Sequence, residues 1–104
     1  MGMFSGIKEA REKAKALKRE HLSKLAVEAV ENGTYEFYYG YNSSEELQEV
    51  KEVVEEMNKE LAQDKFEVRI ISTYQASAGS GKIMYKKEVL GNFDYYILLG
   101  IDAL

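Results

Sequence analysis

One helical pattern occupies more than a quarter of the 104-residue chain and limits the folds open to it. Apolar and small residues recur at three- and four-residue steps from about Ser5 to Asn32. Gly33 supplies the stop, because glycine adopts the left-handed conformation at a helix C-terminus without steric cost. We therefore predict a helix over residues 4–32. Such a helix is ~40 Å long, against a radius of gyration of ~13 Å for a compact domain of this size, so we expect its alanine-rich first half to project.

The rest of the chain alternates between strand and helix patterns. The predicted strands are 34–41, 66–74, 82–90 and 95–101, and the predicted second helix is 43–61. A strand, a helix and a strand at this spacing indicate a parallel crossover. The last strand is apolar on both faces and should be central. The predicted fold class is α+β in one domain, 1–104: a long N-terminal helix and a 34–104 body, β-α-β-β-β, that forms a mixed four-stranded sheet with helices on one face.

The composition excludes several function classes. The chain has no cysteine, which excludes a disulfide scaffold and any cysteine-ligated metal site. His21 is the one histidine and has no second histidine or cysteine with which to form a metal site or a nucleophile–base pair. No apolar run reaches the ~18 residues that span a bilayer, and the first residues lack a signal-peptide pattern. We expect a cytoplasmic, non-enzymatic protein with no membrane contact, no catalytic residues, no cofactor and no metal.

The net charge of −4 conceals two oppositely charged regions. Residues 1–24 carry a charge of +4, and the remainder carries −8. One flank of the first helix holds five basic residues: Lys8, Arg11, Lys15, Lys18 and Arg19. Such a line could follow a nucleic-acid backbone. The alternative is a solvated helix face with ion pairs between residues four apart, since the acidic chain as a whole repels nucleic acid.

The second predicted helix carries most of the negative charge. Its predicted protein-binding glutamates are Glu45, Glu49, Glu52 and Glu56, and Glu55 and Glu60 lie on the same outward face. A glutamate-covered helix can imitate a phosphate backbone and occupy a nucleic-acid groove on another protein. The alternative is an ordinary solvated face, because glutamate is a good helix former.

The first predicted strand places four aromatic residues on one face: Tyr35, Phe37, Tyr39 and Tyr41. Tyrosine is enriched at protein interfaces because it combines a large apolar ring with a polar tip. This row is therefore either part of the core or a contact surface for a second copy or another partner, and the strand pattern alone leaves both open.

Residues 75–83 read Gln-Ala-Ser-Ala-Gly-Ser-Gly-Lys-Ile. This stretch resembles the phosphate loop of P-loop NTPases, and most of all the variant found in superfamily 1 DNA helicases. The resemblance implies phosphate binding by Gly79, Gly81 and Lys82, through backbone N–H groups and the lysine ammonium. Ala76 and Ile83 depart from the family pattern, at the first glycine and at the Mg²⁺-binding hydroxyl. The alternative is a flexible connection between two strands.

Taken together, these patterns predict a small protein that binds or inhibits a larger host protein through its acidic helix and aromatic strand, and that forms a homodimer. In size and acidity it is similar in general style to inhibitors encoded by phages and mobile elements. Two alternatives come from other classes: nucleic-acid binding by the basic helix, and phosphate or nucleotide binding by the 79–82 loop.

Overall fold

The computed structural model describes residues 3–76 and 91–104, with side chains from residue 9 onward. Its elements in chain order are α1 (Met3–Glu31), β1 (Glu36–Tyr41), α2 (Ser44–Leu61), a 3₁₀ turn (Ala62–Asp64), β2 (Phe66–Gln75) and β3 (Tyr95–Ala103). The predicted α+β class is confirmed. The predicted strand over 82–90 and the predicted phosphate-binding residues Gly79, Gly81 and Lys82 lie outside the described residues.

The three described strands form an antiparallel sheet in the order β1-β3-β2. Tyr39 of β1 lies opposite Ile97 of β3, and Ile70 of β2 lies opposite Leu99. Consequently β1 and β2 run in the same direction without touching, because β3 is inserted between them. The described part of the chain does not form the mixed four-stranded sheet that we predicted. The crossover-related strands β1 and β2 are not paired with each other, because β3 lies between them and pairs antiparallel with both.

Both helices pack on the same face of the sheet and bury the main core with it. The helices contribute Leu22, Ala29, Val50, Val53, Val54 and Met57, and the sheet contributes Phe37, Tyr41, Val68, Ile97 and Leu99. Helix α2 begins as its sequence predicts, because the Oγ of Ser43 accepts a hydrogen bond from the backbone N–H of Glu46 at 3.2 Å. The N-cap sets where α2 begins, and four buried residues of α2 pack it into the core.

Helix α1 ends where the sequence indicates. Gly33 has a φ of +72°, the left-handed conformation that a helix stop requires. At the other end of the helix, residues 9–13 are exposed, and charged contacts with α2 begin at Lys15.

The outer edge of β2 is closed by a side chain of α2. Val68 lies opposite Ile101, but its backbone N–H and C=O bond to Asn58 instead of β3. The two hydrogen bonds measure 2.7 Å to Oδ1 and 2.9 Å from Nδ2. Because an open strand edge is a template for pairing with another chain, Asn58 blocks this position of the edge.

Candidate protein-interaction surface

The basic flank of α1 and the acidic flank of α2 face each other. Lys18 Nζ lies 3.0 Å from Glu49 Oε2. Lys15 Nζ lies 3.7 Å from an oxygen of Glu52 and 3.5 Å from an oxygen of Glu56. Oε2 of Glu49 is buried, and the Lys18 ammonium 3.0 Å away balances its charge. Groups predicted to bind two different macromolecules therefore neutralise each other inside one chain.

Arg19 extends the same charged contact toward the end of α2. Its guanidinium is paired with Glu60, and this hydrogen bond raises the pKa of Arg19 above its ordinary value. Arg11 and Glu45 are exposed, and the side chain of Lys8 lies outside the described residues. Among the predicted basic and acidic site residues with described side chains, Arg11 and Glu45 take part in none of these ion pairs.

The aromatic row belongs mainly to the core. Phe37 and Tyr41 are only 8% and 4% exposed beneath the helices. Tyr39 is half-buried with its ring edge-on to His21 at 5.3 Å between centroids, and burial raises the pKa of the Tyr39 hydroxyl. Tyr35 differs from the other three, because its side chain remains 46% exposed.

Five large apolar side chains are exposed at one end of the fold, where α1, α2 and β3 end and where β1 and β2 begin. We call this surface the apolar end; its members are Val27 (55% exposed), Val30 (42%), Tyr35 (46%), Phe66 (38%) and Leu104 (66%). Backbone hydrogen bonds hold the strand ends together: Ile101 N–H donates to Tyr35 C=O at 2.9 Å, and Leu104 N–H donates to Lys65 C=O at 2.7 Å. Among the described residues, the other large apolar side chains at the surface are Leu17 and Tyr74.

A groove of about 370 Å³ runs through the apolar end between α1 and the sheet. Its described lining is Ala26, Val27, Val30, Glu31, Leu61, Phe66, Val68 and Ile101. Glu31 is the one charged member of that set and stands beside Val27 and Val30 at the end of α1. The groove is therefore an apolar depression with an acidic group on the α1 wall.

Two strained backbone positions border the apolar end. Tyr35 and Lys65, with φ of +55° and +62°, are the non-glycine residues with positive φ in the described part of the chain. They directly precede β1 and β2. A bulky residue in this conformation costs about 1–3 kcal/mol and persists only when its surroundings hold it. Tyr35 is held through both backbone groups, since its N–H donates to Ala29 C=O and its C=O accepts from Ile101.

The apolar end was not predicted, although the sequence contains a signal for it. Leu25, Ala26 and Val27 are consecutive, and Ala29 and Val30 follow after one glutamate. Three successive helical positions cover ~200° of the helix circumference, which is wider than the stripe that one buried face requires. The excess width places Val27 and Val30 outside the face that packs on the sheet.

The described residues contain neither a metal-binding cluster nor a membrane-spanning helix. They contain no group of three or more histidine, aspartate or glutamate side chains arranged to hold a metal ion. Within the same residues, neither helix combines the length and the apolarity needed to cross a bilayer. Comparison of the chain with protein-family models, with curated proteins and with solved structures finds no match.

Proposed function

We propose that this chain acts by binding another protein chain at the apolar end. The observation that supports this function is an apolar groove whose lining includes the exposed Val27, Val30 and Phe66, with the exposed Tyr35 and Leu104 at the same end of the fold. Monomeric soluble proteins rarely expose contiguous apolar patches beyond a few hundred Å², and such patches mark interaction sites. The strained Tyr35 at the edge of the patch agrees with this role, because strain of this kind clusters at functional sites.

The chemistry of the groove favours a protein over a small molecule. Small-molecule sites combine an apolar lining with a few polar groups that orient the ligand. Glu31 is the single polar side chain in the described lining, and the other members are aliphatic or aromatic. An apolar centre with charges at its margin is instead the usual anatomy of a protein interface.

The apolar end differs from the protein-binding surface that the sequence predicts. Phe37 and Tyr41 lie in the core, and Glu49, Glu52 and Glu56 are paired with lysines of α1. Tyr35 is the predicted residue that remains at the new surface. A nucleic acid would have to compete with the glutamates of α2 for Lys15, Lys18 and Arg19. The Gly79–Lys82 phosphate site and the identity of a larger host partner stay predictions.

A photo-crosslinking experiment tests the proposed function. A benzophenone amino acid is placed at position 27, in the apolar end, or at position 17, an equally exposed site on the same helix outside it. Irradiation in cells should yield covalent protein adducts from position 27 and none from position 17. Equal labelling from both positions, or none from position 27, contradicts the proposal. The Val27→Asp and Leu17→Asp variants repeat the comparison by affinity capture.

A further inference from the structure

We propose that the apolar end binds a second copy of this chain in a two-fold symmetric dimer. This inference rests on the proposed function, because it names the partner that the protein-binding surface would take. In such an interface each contact occurs twice, so the surface must be complementary to itself in shape and in charge.

The apolar end presents a ridge and a groove side by side. Val27 and Val30 lie one turn apart on α1 and form an exposed apolar ridge. Beside this ridge runs the groove, whose opposite wall includes Phe66 and Ile101. A two-fold rotation can therefore seat the ridge of each copy in the groove of the other.

The margin of the apolar end holds one acidic and one basic residue that two copies can pair, and the other charged neighbours of its members in sequence are Glu28, Glu36 and Glu67. Glu31 stands on the α1 wall of the groove, and Lys65 directly precedes Phe66 on the other wall. When the α1 wall of one copy meets the sheet wall of the second, Glu31 faces the second copy's Lys65, and the reciprocal pair forms by symmetry. Opposite charges at an interface margin fix its register and disfavour wrong partners.

The area suits a reversible dimer. The exposed fractions of the five side chains correspond to an apolar surface on the order of 400 Å² per copy. Two copies bring about twice that, and the charged margin raises the total toward the ~1,000 Å² expected of a biological interface. We therefore expect dissociation in the micromolar range.

Asn58 disfavours edge-to-edge pairing of two copies at the part of β2 next to the groove. Two sheets commonly join edge to edge through main-chain hydrogen bonds. At Val68 both backbone groups are already bonded to Asn58, so this position of β2 is not open to a second strand. The exposed ridge and groove beside it allow two copies to meet through side chains instead.

Sedimentation velocity on the purified chain, from low micromolar to near millimolar concentration, tests the dimer. The wild type should shift with concentration from 11.9 kDa to a species of twice that mass. Val27→Asp should raise the dissociation constant at least tenfold, whereas the matched Leu17→Asp control should leave it unchanged. Circular dichroism verifies that both variants are folded. A wild type that stays monomeric, or a Val27→Asp variant that dimerises like wild type, overturns the inference.

A charge exchange tests the two-fold pairing directly. Glu31→Lys and Lys65→Glu should each weaken self-association about tenfold, because each places like charges together twice per dimer. Mixing the two variants should restore wild-type affinity, since every marginal pair is again of opposite sign. A mixture that associates no better than its components overturns the predicted register.

The outcomes also separate the inference from the proposed function. A monomeric wild type whose position 27 still crosslinks to a different protein overturns the dimer and leaves the protein-binding function standing. A monomeric wild type with no adduct at position 27 overturns both.

Discussion

The two halves of α1 meet their surroundings in opposite ways. In residues 15–19, Lys15, Lys18 and Arg19 form ion pairs with glutamates of α2. Residues 26–30 are mainly apolar, and Val27 and Val30 among them are exposed. The charged half is thus satisfied within the chain, whereas the apolar half presents side chains that nothing in the described structure covers.

This contrast reverses what the charge distribution suggests. A basic segment followed by an acidic helix looks like two separate surfaces for partners. In the fold, however, Lys15, Lys18 and Arg19 form ion pairs with glutamates of α2. Partly exposed ion pairs contribute little stability each. They place positive charges beside the glutamates of α2 and so reduce the repulsion between those glutamates. The capacity for a partner therefore lies in the apolar half.

The largest expected effect distinguishes a buried leucine of α1 from an exposed one. Leu22 is fully buried, whereas Leu17 is 67% exposed. Leu22→Ala should lower the free energy of unfolding by about 2–5 kcal/mol, because it removes packed methyl groups and leaves a cavity. Leu17→Ala should change it by less than about 0.5 kcal/mol. Urea unfolding measures both, and similar losses would show that α1 is not seated as described.

Asn58 gives the next largest effect and concerns the edge beside the apolar end. Asn58→Ala removes a donor and an acceptor and leaves the buried N–H and C=O of Val68 without partners. The expected cost is about 1–3 kcal/mol. Lys59→Ala, on the exposed neighbouring position of α2, is the control and should be nearly neutral. Equal stability of the two variants would mean that Asn58 does not close the edge.

The sequence predicts the elements of this fold better than their assembly. The Ser43 cap, the Gly33 stop and the doubly apolar last strand each act locally, so their consequences can be derived from the residues alone. The sequence predicts the central position of β3 from its two apolar faces, and the strand order confirms it. The parallel direction of β1 and β2 can also be predicted. The antiparallel pairing of β3 with both neighbours cannot, because an apolar pattern does not reveal the direction of the strand beside it.

The candidate site could be predicted only in part for a related reason. Burial of Phe37 and Tyr41 depends on which sheet face the helices cover, and a two-residue alternation fits either face. The members of the apolar end lie at the ends of four elements, α1, β1, β2 and β3, that are distant along the chain. The sequence groups Tyr35 with the other aromatic residues of the row, but its positive φ and its 46% exposure cannot be derived from its residue type.

A smaller effect distinguishes the ion pairs within the charged half. The Lys18 and Glu49 side chains are only 16% and 15% exposed, whereas Glu60 opposite Arg19 is 72% exposed. Lys18→Glu should destabilise the protein by about 1–2 kcal/mol, because it sets two mostly buried carboxylates together. Arg19→Glu should cost less, since solvent screens its partner. Exchange of both charges, Lys18→Glu with Glu49→Lys, should recover part of the loss in thermal melts; no recovery would contradict the pairing.

The smallest expected effect concerns the ionisation of Tyr39, the half-buried tyrosine of the aromatic row. Burial, reinforced by the charges of Glu46 and Glu49, raises the pKa of Tyr39 above its unfolded value of ~10. Its contribution to stability is complete below pH ~10. That contribution is lost as the pH rises further, because the unfolded chain releases the proton first.

Tyr39→Phe removes this ionisation, so its melting temperature should fall less steeply than that of wild type between about pH 9 and pH 11. A Tyr39→Phe variant that keeps the wild-type slope would contradict the burial of the Tyr39 hydroxyl beneath the helices.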